Sequence, residues 1–206
     1  VAHSFPTRRS SDLYPIISEE NKAIPYEERK DYEAAWLVDP LDGTKEFIKR
    51  NGEFTVNIAL IEGGKSTLGV VYAPVLDELY WAVEGEGAYL EKDGQTTRLK
   101  AKSFTMSDKH LGVACSRSHL NDATRAFVEQ LQEPELVSKG SSLTFLLIAK
   151  GEAHVYPRLA PTMEWDTGAA HVVVTEAGGE VIAEDTKLPL QYNKENLLNP
   201  YFIVKM

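Results

Sequence analysis

The order of apolar and polar residues divides the chain into a strand-rich first half and a second half in which strands and helices alternate. Alternating apolar runs between turn residues predict strands, and Lys-Asp-Gly at residues 92–94 predicts a hairpin. The predicted strands are Phe54–Ile61, Thr67–Val75, Glu78–Val83, Gly87–Glu91, Gln95–Lys100, Leu111–Cys115, Glu135–Ser138, His154–Tyr156, Glu180–Ala183 and Tyr201–Val204. The predicted helices are Leu120–Leu131, Leu143–Ala149 and Asp166–Ala177. This succession predicts an α/β fold with an α+β first half built on antiparallel sheet.

The run Trp36–Thr44 places two carboxylates and a helix start on one tight turn after a buried strand. Asp39 and Asp42 are three residues apart, so their side chains can converge on one point. Mg²⁺ prefers such oxygen ligands, with remaining positions left to water and phosphate. The free N–H groups of a helix that starts at Thr44 would receive a phosphate. The alternative is an acidic surface turn in which an aspartate caps the helix.

Two further acidic segments lie far from this turn. Asp166 is predicted to be the N-cap or a first-turn residue of a helix that ends near Gly178, and Gly168 keeps its first turn thin. A capped, closely packed helix with nothing bound is the alternative for this segment. Glu19 and Glu20 follow a short apolar run.

Together these segments resemble the lithium-sensitive, magnesium-dependent phosphatase superfamily, which includes inositol monophosphatases and 3′(2′),5′-bisphosphate nucleotidases. The resemblance is closest to the bisphosphate nucleotidase branch and extends from about Tyr14 to the C-terminus. The matching motifs are Ser18–Glu20, Asp39–Thr44 with its continuation to Phe54, Ser116–His119, Gly140–Leu143, Tyr156–Arg158 and Pro161–Asp166. The resemblance implies a layered αβαβα sandwich of the inositol monophosphatase/fructose-bisphosphatase type.

The resemblance also implies roles for individual residues. Metal ligands would be the side chains of Glu19, Asp39, Asp42 and Asp166 and the carbonyl of Leu41, with two or three Mg²⁺ ions. The catalytic residues would be Thr44, Glu19 and Asp42. Substrate would be bound by Gly43, Thr44, His119, Ser141, Arg158 and Asp166. Arg158 suits this role because a guanidinium can grip phosphate through two parallel donors.

The implied activity is Mg²⁺-dependent hydrolysis of the 3′-phosphate of adenosine 3′,5′-bisphosphate, a by-product of sulfate assimilation. The partner is then a small phosphorylated nucleotide. One departure leaves an inositol monophosphatase-like enzyme of broad specificity as an alternative: the branch reads Gly-Ser-Ser-Leu-Lys, and here the last residue is Thr144. A lysine that helps to neutralise the second phosphate is therefore missing.

Residues His3 to Leu13 match, residue for residue, the translation of a widely used sequencing adapter. The alternative is a basic, serine-rich targeting peptide. We expect residues 1–13 to be non-native, residues 14–108 to form an antiparallel-sheet, metal-binding half and residues 109–206 to form an α/β, substrate-binding half. The resemblance implies that two helices and a hairpin normally precede Tyr14, with an aspartate that assists Thr44. An inactive, metal-binding fragment is therefore a further alternative, and an uncovered sheet face predicts aggregation or partial unfolding.

Composition narrows the choice of partners. The net charge of −9 argues against nucleic acid or an anionic membrane as the main partner, while bound cations would still allow a phosphate ligand. No apolar stretch reaches the roughly 18 residues of a membrane span. The single cysteine, Cys115, fits a reducing cytoplasm. We expect a cytoplasmic protein, either free or peripheral at the inner membrane face; the oligomeric state is not predicted.

Overall fold

The computed structural model describes residues 14–116 and 121–206, with Ser116 described by its backbone alone. The strands are β1 Ile16–Ser18, β2 Ala34–Asp42, β3 Thr55–Glu62, β4 Lys65–Ala73, β5 Glu78–Val83, β6 Gly87–Lys92, β7 Gln95–Arg98, β8 Gly112–Ser116, β9 Glu135–Lys139, β10 Val155–Arg158, β11 Glu180–Ala183 and β12 Phe202–Lys205. The helices are α1 Tyr26–Arg29, α2 Thr44–Lys49, α3 Asp122–Val128, α4 Leu143–Ala149 and α5 Glu164–Glu176. His119 and the adapter-like segment lie outside the described residues.

The strands form two sheets. The first has seven strands in chain order, β1 to β7, and is antiparallel except for the parallel pair β1–β2. The second has the order β11-β12-β10-β8-β9 and is mixed. A sheet-rich first half and an α/β second half are therefore present, in agreement with the predicted fold class.

Helices α4 and α5 fill the space between the sheets. Helix α5 packs against β2 to β6 on one side and β11 on the other, and α4 packs against α5 and the second sheet. The main core includes the apolar residues of α4, the face of the first sheet that α5 covers, and the aromatic side chains Tyr156 and Phe202. A smaller cluster of Leu111, Val113, Leu131 and Val155 packs against α3, on the other side of the second sheet. The described layers are thus sheet, helices, sheet, helix.

The close approach of α5 to the first sheet depends on small residues. A Cβ added to Gly69 in β4 would lie 2.3 Å from the carbonyl oxygen of Ala169, and one added to Gly168 would lie 3.0 Å from Leu37. The prediction that the thin first turn of α5 admits another element is confirmed by these distances.

The outer face of the first sheet remains apolar and partly exposed. It carries Trp36, Ile58, Val70 and Trp81, and Trp81 stacks on Tyr89 with ring centroids 4.5 Å apart. Ile58 in the inner strand β3 is 37% exposed. No helix in residues 14–116 or 121–206 packs over this face. None of the described helices has the length and apolar character needed to cross a membrane.

Helix α5 begins at Glu164, two residues before its predicted start at Asp166. Asp166 is therefore a first-turn residue of this helix, one of the two positions predicted for it. The elements β1 and α1 were not predicted because three and four residues are too short for a hydrophobic period to show.

Candidate metal and phosphate site

A bulge in β2 brings Asp39 and Asp42 to the same face of the first sheet. Asp39 pairs with Asn57 and Asp42 with Thr55, two residues apart on β3, so β2 carries one extra residue between the two aspartates. Since positions two apart on a strand share a face, both aspartates point to the side on which Asn57 and Thr55 are buried. The two carboxylates of this turn therefore lie on one face of the first sheet, as their predicted convergence requires.

Glu19 joins them through the parallel pairing of β1 with β2. Ser18, the last residue of β1, lies opposite Val38, so Glu19 leaves the sheet beside Asp39. Asp166 arrives from the first turn of α5. One carboxylate oxygen from each of Glu19, Asp39 and Asp166 lies within 4.8 Å of the other two. Three segments far apart in sequence thus deliver acidic groups to one point.

Asp42 is held by donors from both halves of the chain. Its Oδ2 accepts hydrogen bonds from the Ser142 N–H (2.6 Å) and Oγ (2.6 Å) at the start of α4. Thr55 and Asn57 donate to the same oxygen from 3.3 Å each. Within the described part of the chain, the hydrogen bonds to the carboxylate of Asp42 all end on Oδ2, which leaves Oδ1 for another partner.

The acidic groups of the cluster would be stabilised by a nearby positive charge. Burial, and then the charge of Asp42, raise the pKa of Asp39 to about 7. The same two causes raise the pKa of Asp166 to about 7. Burial and the neighbouring carboxylates Glu20 and Asp42 raise the pKa of the exposed Glu19. Burial also raises the pKa of Asp42, against the lowering effect of its hydrogen bonds from Ser142. These carboxylates repel each other and resist ionisation, so a divalent cation among them would remove an existing electrostatic cost.

A cleft of about 270 Å³ opens beside the cluster. Its lining contains six of the predicted residues, namely Asp42, Gly43, Thr44, Ser141, Arg158 and Asp166. Lys45 also lines it and was not predicted to take part. The cleft therefore runs from the acidic cluster to two cationic side chains.

The start of α2 shapes one wall of this cleft. Gly43 has φ of +94°, a left-handed conformation that favours glycine, and the first-turn N–H groups of α2 have no acceptor within the helix. A Cβ on Gly43 would lie 3.1 Å from the Cβ of Ser141. Glycine thus lets the phosphate-binding turn and the start of α4 approach each other.

Other predicted residues stand as follows. Leu41 lies between the two aspartates, and its N–H donates to Asp39 Oδ1 (2.9 Å). His119 lies outside the described residues. Thr144 is buried (1% exposed), and its hydroxyl donates to the carbonyl of Lys139 (3.1 Å). This threonine therefore serves the start of α4 and supplies no charge to the cleft.

Sequence reasoning missed the residues that hold the acidic groups. Ser142, Thr55 and Asn57 are ordinary residues of a helix start and a strand, and only their position next to Asp42 gives them a role. The Ser-Ser pair at residues 141–142 was the available signal, since serine at a helix start has a free hydroxyl for a neighbouring acceptor.

A sequence model of the inositol monophosphatase family matches residues 6–201 of this chain. The chain belongs to the inositol monophosphatase family. It is 47% identical to the 3′(2′),5′-bisphosphate nucleotidase CysQ of Salmonella typhimurium, over 92% of this chain and 75% of that protein. A crystal structure of CysQ from Bacteroides thetaiotaomicron is 45% identical and superposes with a TM-score of 0.84, covering 93% of this chain and 76% of the other.

A solved structure with lower sequence identity has the same fold. The Thermotoga maritima IMPase is 26% identical, with a TM-score of 0.72 over 93% of this chain and 69% of the other. Members of the family are metal-dependent phosphatases, and the acidic cluster of Glu19, Asp39 and Asp166 fits a metal site. The comparisons thus confirm the family and the fold that the sequence motifs predicted.

Proposed function

We propose that this chain is a Mg²⁺-dependent 3′(2′),5′-bisphosphate nucleotidase that hydrolyses the 3′-phosphate of adenosine 3′,5′-bisphosphate, giving AMP and phosphate. The observation that carries the proposal is the convergence of Glu19, Asp39 and Asp166 beside a cleft that also contains Arg158. The 47% identity to a named bisphosphate nucleotidase selects the substrate class. Removal of a by-product of sulfate assimilation in the cytoplasm would be the corresponding role.

Two or three Mg²⁺ ions would be held by Glu19, Asp39, Asp42, Asp166 and the carbonyl of Leu41. When bound, they would supply an activated water, neutralise phosphoryl charge and stabilise the leaving oxygen. The raised pKa values of Asp39 and Asp166 support this fit, because neutral or repelling carboxylates become favourable ligands once a cation is present.

The chain's own groups would bind and orient the substrate. The N–H groups of Gly43 and Thr44 at the start of α2 would hold oxygens of the scissile phosphate. The Thr44 hydroxyl would form a hydrogen bond with the attacking water and so orient it. Glu19 and Asp42 would be the other catalytic residues. These roles place the phosphorus atom between the start of α2 and the acidic cluster.

The second phosphate of the substrate would lie toward the cationic end of the cleft. Arg158 lines this end, and Lys45 lines the wall formed by α2. The buried Thr144 cannot supply the charge that lysine gives other members of the branch. Ser141, which lines the cleft, and His119 would complete the binding of the nucleotide.

The test compares phosphate release from adenosine 3′,5′-bisphosphate and from inositol 1-phosphate, with Mg²⁺ and with EDTA. We expect clear preference for the nucleotide, dependence on Mg²⁺, and loss of activity in Asp166→Asn. Equal or inverted preference would favour the inositol monophosphatase-like alternative. Absence of Mg²⁺-dependent release from either substrate would favour the inactive, metal-binding fragment.

A further inference from the structure

We propose that Glu164, a buried carboxylate outside the metal cluster, is a positioning residue that fixes Asp166 for metal binding. The inference rests on the proposed function in one respect, since it takes Asp166 to be a metal ligand. Glu164 is the first residue of α5 and is 0% exposed, whereas Asp166, two residues later, lines the cleft. Two acidic residues of one helical turn therefore have opposite surroundings.

Glu164 binds a segment near the C-terminus, residues 193–199, which we call the strap. The N–H of Asn193 donates to Glu164 Oε2 (2.6 Å), and the N–H of Lys194 donates to Oε1 (3.1 Å). The ammonium group of Lys194 also donates to Oε1. A fully buried carboxylate is costly unless it is paired and hydrogen-bonded, and the strap meets both conditions.

The strap holds the same helical turn at further points. Its Leu197 carbonyl accepts the N–H of Glu164 (2.9 Å), and the Asn199 side chain donates to the carbonyl of Met163 (2.8 Å) and to the Thr167 hydroxyl (3.0 Å). Met163 in turn donates its N–H to Asp166 Oδ2 (2.8 Å). The residue that fixes one oxygen of Asp166 is therefore itself fixed by the strap.

The strap also contacts the segment that follows Glu19. Arg29 at the end of α1 is 2% exposed and donates to the Asn193 side-chain oxygen (2.9 Å) and to the carbonyl of Glu195 (2.7 Å). The Asn193 amide returns a hydrogen bond to the carbonyl of Arg29 (2.8 Å). Through Asn193, the strap thus connects the segment carrying Glu19 with the helix carrying Asp166.

The consequence concerns metal affinity. Glu19 and Asp166 come from different elements, and their carboxylate oxygens must stay within 4.8 Å for both to bind one ion. Groups that orient metal ligands typically contribute about 10- to 100-fold in affinity or activity. Glu164 would raise metal affinity by fixing the position of Asp166, without itself contacting the metal or the substrate.

The main test variant is Glu164→Gln, which keeps the size of the side chain but turns an NH₂ group toward the strap's donors. We expect Mn²⁺ binding, measured by calorimetry and by electron paramagnetic resonance, to weaken about tenfold or more. The Mg²⁺ concentration for half-maximal activity should rise by the same factor. At saturating Mg²⁺ the KM for nucleotide should stay within about twofold of wild type, since Gly43, Thr44 and Arg158, the residues proposed to bind the phosphates, lie outside both α5 and the strap.

A second variant, Asn193→Gly, distinguishes the contact of the strap with Glu164 from its contact with Arg29. Asn193 has φ of +58°, which glycine adopts readily, so this change keeps the backbone N–H to Glu164 and removes only the side-chain bridge to Arg29. We expect a smaller loss of Mn²⁺ affinity than in Glu164→Gln. The matched control is Glu184→Gln, which breaks an exposed ion pair with Lys187 (3.0 Å) and should bind Mn²⁺ as wild type does.

Wild-type Mn²⁺ affinity in Glu164→Gln would overturn the positioning role, as would an equal fall in metal affinity and nucleotide binding. If Glu164→Gln fails to fold, Asn193→Gly and Lys194→Met decide the matter, and wild-type affinity in both overturns it. A wild-type protein that binds no Mn²⁺ would instead overturn the metal site and with it the proposed function.

Discussion

At the scale of single residues, Ser142 controls the geometry of Asp42. Its hydroxyl and its N–H both donate to Asp42 Oδ2 from 2.6 Å, and its hydroxyl also accepts a hydrogen bond from Asn57 (2.8 Å). Because Ser142 belongs to the start of α4 and Asp42 to β2, this contact aligns the two halves of the site.

We predict that Ser142→Ala lowers kcat/KM by about 10- to 100-fold, the usual effect of losing a group that orients a metal ligand. Steady-state kinetics at fixed Mg²⁺ would measure it. The matched control is Ser138→Ala, because the buried hydroxyl of Ser138 has no hydrogen-bond partner among the described residues. Similar losses in both variants would contradict a specific role for Ser142.

The raised pKa values of Asp39 and Asp166 predict how the stability of the metal-free protein depends on pH. Both folded-state pKa values are about 7, above the ordinary value of 3.8. Between about pH 4 and pH 7 the folded state keeps protons that the unfolded state releases. The contribution of these groups is therefore fully present below the unfolded pKa and is lost as the pH rises through 7.

In EDTA, we expect the free energy of unfolding in urea to fall between pH 5 and pH 8 through this contribution. The fall should be smaller in Asp39→Asn, where the titrating group is absent. Mg²⁺ affinity should rise over the same interval, because protons compete with the metal for the carboxylates. A Mg²⁺ affinity independent of pH between 5 and 8 would contradict the raised values.

At the scale of elements, the packing of β4 on α5 sets how closely the first sheet approaches the helix that carries Asp166. Gly69 makes this approach possible, since an added Cβ would lie 2.3 Å from the Ala169 carbonyl oxygen and 2.6 Å from Val172. Backbone atoms cannot move aside as a flexible side chain can.

Gly69→Ala is accordingly expected to destabilise the fold by about 1–3 kcal/mol, the usual cost of overpacking a core. Urea unfolding would measure this cost. The control is Gly112→Ala in β8, whose added Cβ would come no closer than 3.3 Å to His154. Equal stability of Gly69→Ala and wild type would show that α5 lies farther from the sheet than described.

Sequence patterns predicted the longer helices and strands but did not predict the contacts between them. The antiparallel strands β3 to β7 follow from alternating residues and turn signals, and α4 from a continuous apolar run. Asp39, Asp42 and Asp166 were predicted to meet through resemblance and motif order. The bulge in β2 puts Asp39 and Asp42 on one face, and the parallel pairing of β1 with β2 brings Glu19 beside them; neither feature leaves a local pattern in the sequence.

The same limit applies to the residues that support the site. Glu164 and Lys194 are 30 positions apart, and a charged residue beside Trp165 carries no sign that it will be buried. Long-range pairs of this kind become visible only once the chain's path is known. The role of Thr144 was predicted only as the absence of a lysine, and its hydrogen bond to Lys139 was not foreseen.

At the scale of the whole molecule, the outer face of the first sheet is an apolar surface that is partly exposed among the described residues. Ile58 and Trp81 lie on this face, and Ile58 belongs to the inner strand β3. Contiguous apolar patches on soluble proteins mark places where another surface packs. We therefore expect the protein to associate through this face.

We expect the purified 206-residue chain to sediment as species larger than its 22.9 kDa monomer. Ile58→Lys should shift the distribution toward monomer, because a charge in the middle of the face opposes its burial. Thr97→Lys, an exposed position on the edge strand β7, is the control and should leave the distribution unchanged. A monomeric wild-type protein with one cooperative thermal transition would contradict this expectation.

The most direct measurement is anomalous diffraction from a crystal of this protein soaked in Mn²⁺, which replaces Mg²⁺ at oxygen sites. We predict an anomalous peak bounded by carboxylate oxygens of Glu19, Asp39 and Asp166, the three residues whose ligand atoms lie within 4.8 Å of one another. Manganese bound elsewhere, with no peak among these carboxylates, would contradict the metal site on which the proposed hydrolysis depends.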